Sequence, residues 1–488
     1  MKKFNKNNLM YICFLCLIIL ILLFLKPDNN FIIISSIVIV LLLIISVTVW
    51  IVKYKKINTP VFYFLFICYI SWFGQFVLVL FNSKNNGNLF IFSIQDIEGI
   101  KTAVLYSIIG YGALFLGALV NIRSQDELLN LEYYKDFKDK DYKKAVVIVA
   151  VIMIIIGMPQ FLIKSISNLR VSFSDSYLSL YEIKESDSLS NITSNLRMFF
   201  IPGIIMLMIA MKDNKKIFKT CLLIVLYDFI VSFACGGRGS ALVLLLTAFW
   251  INFSQIRKIK VKNLIILCMI GLIVLKLFNV VAIYRVKSNK DVNTFFESME
   301  ESSENGVISS TIKEIGGNIF SLYHTMKIIP EYQDFSYGYS YFASFIAVVP
   351  SIVFGGYSFT KDAALANWLM TQLDLDYGPG YTILAESYYN FGFLGFIAMF
   401  LIGIIYAKNM KNNKHDENDD EIIIKNIKVG IFMYIGLLTF RGSILLVFRY
   451  YFYTIFIPFL LIKILKNTIK KNKGRDLVWG KYYFLFLH

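Results

Sequence analysis

The chain has 488 residues, of which 57% are hydrophobic and 16% aromatic, and its mean hydropathy is +0.63. Soluble domains are seldom more than half apolar, so this composition excludes a soluble protein and predicts a polytopic membrane protein. The formal net charge is +16, but Lys and Arg stand in short segments between apolar runs. This distribution argues against a nucleic-acid partner and indicates that the charges set membrane topology.

The N-terminus, Met1 to Asn8, is basic and precedes an apolar run. No small-residue cleavage site follows Leu25, which favours a first membrane span over a removable signal peptide. The six cysteines all lie in apolar runs. Neither a disulfide framework nor a thiolate metal site is expected from them.

Apolar runs long enough to cross a bilayer predict an all-α fold with about twelve membrane helices. The predicted spans are 9–25, 31–52, 60–81, 102–122, 145–163, 195–211, 220–235, 240–255, 263–283, 385–407, 425–441 and 446–465. With both termini in the cytoplasm, Lys and Arg would number about 32 inside and about 16 outside, as the positive-inside rule prefers. The basic tail, 466–488, is then a cytoplasmic membrane-surface segment.

Residues 284–384 separate nine spans within 1–283 from three spans within 385–465. Connecting loops rarely exceed about 15 residues, so this long extracytoplasmic loop is expected to carry function. Inside it, Tyr339 to Phe354 is apolar but interrupted by Pro350. That pattern favours an interfacial or re-entrant helix over a span.

Arg238 lies in the turn Gly236-Gly237-Arg238-Gly239-Ser240 between the seventh and eighth predicted spans. A charge kept at membrane depth costs about 2.5 to 3.5 kcal/mol on insertion scales, which invites a functional explanation. Glycines let backbone amides approach a ligand at a helix N-terminus, and a guanidinium bridges two phosphate oxygens. We therefore expect Arg238 to bind an anion; an arginine snorkelling from a tight hairpin is the alternative.

Arg441-Gly442-Ser443 repeats the Arg238-Gly239-Ser240 tripeptide near the outer end of another apolar hairpin, and Arg449 follows it. Three arginines near the outer membrane face, with few acids nearby, predict a site for a strongly anionic lipid head group such as a diphosphate. Arg285 stands where the ninth span leaves the membrane. It is a further candidate ligand or an ordinary interfacial residue.

Glu386 lies in a run of glycines, tyrosines and one amide that enters the tenth span. Its carboxylate could be a partner of the helix dipole, or could orient or deprotonate a sugar hydroxyl. Tyr388 and Asn390 could stack on a sugar and hydrogen-bond to it. His324, in the long loop, is either structural or catalytic.

Asp374 and Asp376 flank Leu375 in the long loop. No further ligand cluster has suitable spacing, so a solvated turn is expected there, with no metal and no cofactor.

Three stretches carry a family resemblance: the GGRGS turn, YGYSYFASFIAVVP and GPGYTILAESYYNFGFLGF. They resemble the Wzy-type oligosaccharide repeat-unit polymerases of O-antigen and capsular polysaccharide. The resemblance implies a GT-C-like glycosyltransferase in the bacterial cytoplasmic membrane. It would join repeats carried on undecaprenyl diphosphate at the outer face, by moving the growing chain onto the non-reducing end of a new lipid-linked repeat.

The resemblance also suggests a flippase and a chain-length regulator as partners. It places the donor diphosphate at Arg238, with Arg441 or Arg449, and leaves Glu386 and His324 as alternative bases. Diphosphate is a good leaving group, so the main need is to stabilise its developing negative charge, which arginines and helix amides can do without a metal. The acceptor hydroxyl must be oriented and helped to lose its proton.

Two alternatives remain at this point. One is a flippase for lipid-linked oligosaccharide, although transporters place their sites on broken helices near the bilayer midplane and the unusual residues here gather at the outer rim. The other is an enzyme similar to the O-antigen ligases, or a lipid-to-protein glycan transferase, with a different acceptor.

Overall fold

The computed structural model describes residues 6–81, 89–122, 137–174, 196–234, 238–255, 276–277, 280, 284, 291–304, 307–411 and 418–472. All regular elements in these ranges are helices. Eight segments among them are long and apolar enough to cross a membrane: Asn7–Phe24, Asn30–Tyr54, Pro60–Phe81, Ile97–Asn121, Lys140–Ser167, Ile383–Met410, Asp419–Arg441 and Ile444–Lys470.

The first part of the chain forms a series of mostly long helices. They are α1 (Lys6–Phe24), α2 (Asn29–Tyr54), α3 (Pro60–Phe81), α4 (Phe90–Ser93), α5 (Ile97–Asn121), α6 (Lys140–Ser174), α7 (Phe200–Ala210), α8 (Lys215–Ala234) and α9 (Arg238–Gln255). A 3-10 turn, Arg197–Phe199, leads into α7.

The long loop consists of short helices. They are α10 (Val292–Glu304), α11 (Val307–Gly316), α12 (Ile319–Ile328), α13 (Tyr339–Ile346), a 3-10 turn (Ser351–Phe354), α14 (Phe359–Ala363) and α15 (Leu365–Gln372). The apolar stretch around Pro350 is thus α13 followed by a 3-10 turn, because proline cannot continue the helix.

The last part returns to membrane helices with short interruptions. They are α16 (Ile383–Phe391), α17 (Gly395–Met410), α18 (Asp419–Leu438), α19 (Ile444–Tyr450) and α20 (Ile457–Asn472). A 3-10 turn, Gly392–Leu394, joins α16 to α17, and a π-helical turn, Tyr451–Phe456, joins α19 to α20.

The helices pack in two groups. In the first, α17 lies against α5, and α1, α2 and α3 pack around them. Glycines let α5 and α17 approach closely: a Cβ on Gly117 would lie 2.2 Å from the Phe400 carbonyl oxygen, and one on Gly403 would lie 2.1 Å from the Leu114 carbonyl oxygen. Small residues are the usual means by which membrane helices make such close contacts.

The second group contains α6, α7, α8, α9, α18 and α20. Because α18 also packs against α3 and α17, it joins the two groups. The loop helices fold back onto the bundle: α11 packs on α3, α12 on α5 and α16, and α13 on α19. The loop is therefore built into the end of the bundle where α18 stops and α19 starts.

The predicted number of spans is not confirmed. The predicted spans 195–211, 220–235 and 240–255 fall on α7, α8 and α9, which are not among the eight candidates. A run of about 16 residues reaches only about 24 Å as a helix, less than the roughly 30 Å hydrocarbon core. Helix α8 reaches 20 residues only by starting with KKIFK, which carries three lysines.

The predicted span 263–283 lies almost entirely outside the described residues. The GT-C-like architecture and the placement of both termini in the cytoplasm stay predictions.

Candidate functional site

Residues 439–444, which we name the Arg441 turn, connect α18 to α19 and contain Arg441-Gly442-Ser443. Three side chains from other helices bond to the turn, each at most 1% exposed: Ser71 of α3, Glu386 of α16 and Tyr406 of α17. Their partners are the Phe440 carbonyl oxygen at 2.9 Å, the Ile444 amide at 2.7 Å and the Thr439 hydroxyl at 3.0 Å. The backbone of the turn is therefore fixed from inside the protein.

Glu386 is the acid at the centre of this arrangement. It lies in the first turn of α16 and has no exposed surface. One carboxylate oxygen accepts from the Ser340 hydroxyl at 3.0 Å and the other from the Ile444 amide at 2.7 Å. No described Lys or Arg forms an ion pair with it. A hydroxyl and a helix-terminal amide, rather than a cation, thus stabilise this carboxylate.

Asn390, one turn after Glu386, extends the same network. Its side-chain amide donates to the Ser340 hydroxyl at 2.7 Å and to the Glu386 carbonyl oxygen at 2.8 Å. Its side-chain oxygen accepts from the Gly338 amide at 3.0 Å, immediately before α13. Asn390 is 0% exposed, so in this structure it anchors α13 to α16.

Tyr388 is also buried. Its ring lies 5.2 Å from that of Tyr106 and 5.9 Å from that of Phe393. The predicted sugar contacts of Tyr388 and Asn390 stay predictions; here both side chains serve internal packing.

Arg441 itself is exposed. Its guanidinium donates to the Pro379 carbonyl oxygen at 3.4 Å. Gly380 lies beneath it with φ of +77°, and a Cβ there would lie 2.6 Å from Nε of Arg441. Within the described part of the chain, Arg441 has no acidic partner. The glycine-proline-glycine turn before α16 and the Arg441 turn, far apart in sequence, thus meet in space.

Arg449 lies eight residues after Arg441, on α19, and is partly buried. It donates to the Ala347 carbonyl oxygen at 3.2 Å and to the Thr360 hydroxyl. Tyr453 adds a bond to the Val348 carbonyl oxygen. Arg449 therefore holds the loop helices α13 and α14 against the membrane helix, whereas Arg441 is exposed and, among the described residues, bonds only to the glycine turn before α16.

His324 lies on α12 among aromatic rings. Its ring is 4.2 Å from that of Phe320 and 6.1 Å from that of Phe90. Burial, followed by the nearby charge of Lys327, lowers the pKa of the imidazole to about 4. His324 is consequently neutral at pH 7, with part of its surface still exposed.

The structure describes the other two predicted arginines, Arg238 and Arg285, only in part or not at all. Arg238 is the first residue of α9, which packs against α18. Its side chain lies outside what the structure describes, and so does the whole of Arg285. Asp374 and Asp376 occupy the turn after α15, where Asp374 has φ of +50°. The described residues contain no group of three or more His, Cys, Asp or Glu placed to hold a metal ion.

Sequence reasoning missed Ser71, Tyr406 and Ser340. A single hydroxyl inside an apolar run has no spacing that distinguishes it from ordinary helix packing. It also missed Arg197, just before α7, whose charge attracts the buried carboxylate of Asp228 on α8. An arginine at the predicted start of a span is a signal that could have found this pair.

The family model for O-antigen polysaccharide polymerase Wzy matches residues 8–473, nearly the whole chain. Searches of the curated proteins and of the solved structures found no match. The resemblance based on the three sequence stretches is thereby confirmed. With eight candidate spans, the protein is a multi-pass membrane protein. The chain belongs to the O-antigen polysaccharide polymerase Wzy family, which acts in the polymerisation of O-antigen repeat units.

Proposed function

We propose that the protein polymerises oligosaccharide repeats carried on undecaprenyl diphosphate, at the outer face of the bacterial cytoplasmic membrane. Membership of the Wzy family supports the polymerisation. The predicted topology supports the outer face, because it puts the long loop and the Arg441 turn on the same side. The family match favours this enzyme over the flippase hypothesis.

The observation that carries the proposal is Arg441. It is an exposed guanidinium on a turn held by buried bonds, it lies against Gly380, and no described acid neutralises it. A permanent charge in a fixed position at the membrane rim suits two oxygens of a diphosphate. Charge that is fixed before the reaction stabilises the developing negative charge on the leaving diphosphate most effectively.

Arg238 is the proposed second cation. Trp250 of α9 lies 3.7 Å from the position of a Cβ on Gly430 of α18. From that contact, Arg238 is about 18 Å and Arg441 about 16 Å away along their helices, at 1.5 Å per residue. The predicted topology has α9 and α18 crossing in opposite directions, which brings both arginines to the same membrane face. In this proposal Arg449 and Arg285 contribute less to diphosphate binding than Arg238 and Arg441.

The transfer exchanges one bond at the donor sugar. The acceptor hydroxyl oxygen forms a bond to the anomeric carbon, and the bond from that carbon to the diphosphate oxygen breaks. The electron pair leaves with the diphosphate, and the hydroxyl proton needs an acceptor. Of the two predicted bases, we assign this role to His324, because it is neutral and partly exposed while Glu386 is enclosed.

The test uses the purified protein, one defined lipid-linked repeat and separation of the products by length. The wild-type protein should form a ladder. Arg441→Ala should lower the rate about 10²-fold to 10³-fold, as loss of one charge-stabilising group does. The rate of Arg441→Lys should fall in between, because lysine keeps the positive charge but lacks the planar fork with which arginine binds two oxygens. Lys361→Ala, which removes an exposed charge from α14 in the same loop, is the matched control.

Two results would contradict the proposal. If Arg441→Ala formed the ladder as fast as the wild-type protein at equal protein concentration, Arg441 would have no role in charge stabilisation. If the wild-type protein left the single repeat unchanged, the protein would not be a polymerase. Cells lacking the protein then decide between hypotheses: loss of a flippase traps single repeats inside, whereas loss of a polymerase leaves them exposed outside.

A further inference from the structure

The buried network around Glu386 joins three parts of the chain: Ser340 of the loop, Glu386 and Asn390 of α16, and Ile444 at the start of α19. These side chains are at most 1% exposed, apart from the backbone amide that Ile444 contributes. A fully enclosed acid that contacts neither solvent nor a cation is unsuited to meeting an acceptor sugar. Its contacts indicate a different role.

The Ile444 amide is one of the first N–H groups of α19, which have no partner within their own helix. The residue before it, Ser443, makes no side-chain capping bond. Glu386 supplies the missing acceptor from another helix through its Oε2 atom. The start of α19 is therefore capped by a residue of α16.

This cap bears directly on Arg441. Arg441 is three residues before Ile444 in the same turn, and its side chain lies on Gly380, six residues before Glu386. Glu386 thus fixes the start of α19 relative to the glycine turn on which the Arg441 guanidinium lies. A shift of the Ile444 amide would carry Arg441 away from that surface.

We propose that Glu386 is a positioning residue, which acts on the reaction through Arg441 and does not transfer a proton. The inference rests on the proposed function of Arg441. The two bonds of Glu386 define which atoms residue 386 must provide. The Ile444 amide only donates, so it needs an oxygen atom as its partner, whereas the Ser340 hydroxyl can donate or accept. A glutamine can turn its oxygen to Ile444 and its amide to Ser340, whose hydroxyl oxygen has two lone pairs and can accept from this amide as well as from Asn390. The role therefore requires the shape and length of the side chain, and not its ionisation.

The experiment compares Glu386→Gln, Glu386→Ala and Ser340→Ala in the repeat-transfer assay at matched concentrations of purified protein. Glu386→Gln should retain activity within about threefold of wild type, the size of one neutral hydrogen bond, with an unchanged pH profile. Glu386→Ala should lose about 10-fold to 100-fold, as displacement of a charged group by about 1 Å does. Ser340→Ala is a milder variant that keeps the cap and should lose about threefold.

A double variant separates positioning from general damage to the fold. If Glu386 acts through Arg441, then Glu386→Ala combined with Arg441→Ala should be no more than about twofold slower than Arg441→Ala alone. Losses that multiply would overturn the inference, and so would a Glu386→Gln variant as inactive as Glu386→Ala. Should Arg441→Ala prove fully active, the proposed function of Arg441 fails, while the glutamine result still decides whether the carboxylate transfers a proton.

Discussion

The two ends of α18 are held by different kinds of interaction. At its Asp419 end, Lys138 pairs with Asp419 at 2.7 Å, and the side chain of Lys138 is 70% exposed. The Asp420 carboxylate accepts from the backbone amides of Lys138 and Asp139 at 2.7 and 3.1 Å. Lys466 of α20 pairs with Asp139 at 3.6 Å.

At its other end, α18 runs into the Arg441 turn, where the bonds from Ser71, Tyr406 and Glu386 are buried. Exposed ion pairs contribute about 0 to 1 kcal/mol each and tolerate changes of geometry. Removing one partner of a buried hydrogen bond costs about 1 to 3 kcal/mol, because the other partner is left without water. The end that carries Arg441 is therefore the one built to hold a fixed geometry.

Among variants that compare the two ends of α18 and leave Arg441 itself unchanged, Gly380→Ala should have the largest effect. The new Cβ would collide with Nε of Arg441 at 2.6 Å, at a residue with φ of +77°. Gly355→Ala is the matched control, because Gly355 also has positive φ, +63°, but nothing lies within 4 Å of its Cβ position. Both variants should be destabilised by about 1 to 2 kcal/mol from the backbone conformation alone. Only Gly380→Ala should slow repeat transfer, by about 10-fold to 100-fold; equal activities would show that Arg441 needs no fixed position.

A smaller effect is expected from Ser71→Ala. It removes the donor to the Phe440 carbonyl oxygen and should destabilise the protein by about 1 to 3 kcal/mol in thermal unfolding of the detergent-purified protein. Ser35→Ala is the comparison, because Ser35 is equally buried but bonds to Ile32 in its own helix. Ser35→Ala should leave repeat transfer unchanged, whereas Ser71→Ala should lower it severalfold. A larger loss of activity in Ser35→Ala than in Ser71→Ala would show that the bond from Ser71 to the Arg441 turn has no special role in activity.

The next effect concerns pH. The His324 pKa is lowered to about 4 in the folded protein, from 6.5 in its ordinary state. The unfolded chain therefore binds more protons between these values, and the stability that neutral His324 contributes is complete above pH 6.5 and lost as pH falls through about 4. His324→Gln should show a smaller loss of melting temperature than wild type between pH 7.5 and pH 4.5. An equal loss of melting temperature in the variant and the wild-type protein would mean that the pKa of His324 is not lowered by folding.

The smallest effect is expected at the Asp419 end. Lys138→Ala removes an exposed ion pair and should change the free energy of unfolding by less than about 1 kcal/mol, with repeat transfer unaffected. Lys140→Ala, at the exposed start of α6, serves as its control. A loss of transfer in Lys138→Ala but not in Lys140→Ala would show that both ends of α18 require fixed geometry.

The sequence alone was informative about Arg441 and Glu386, because a charge and an acid beside glycines at span ends depart from lipid-facing composition. It was uninformative about Ser71 and Ser340, since a hydroxyl in an apolar run is unremarkable until its partner is known. The sequence predicted about twelve spans, of which the described residues show eight candidates. A hydrophobic run such as 220–235 has the composition of a span, but composition does not show whether its helix crosses the bilayer or packs against protein.

Composition and apolar periodicity by themselves determined that this protein is helical, lies in a membrane and carries unusual polar turns between its apolar runs. Each segment has these properties by itself, because they depend on how favourably its own side chains and backbone transfer from water into lipid. Only the tertiary structure decided that Gly380, Glu386 and the Arg441 turn meet, and that Glu386 is enclosed while Arg441 is exposed. Contacts between α16 and α19 join residues about 60 positions apart, and such pairings arise from packing of the whole bundle.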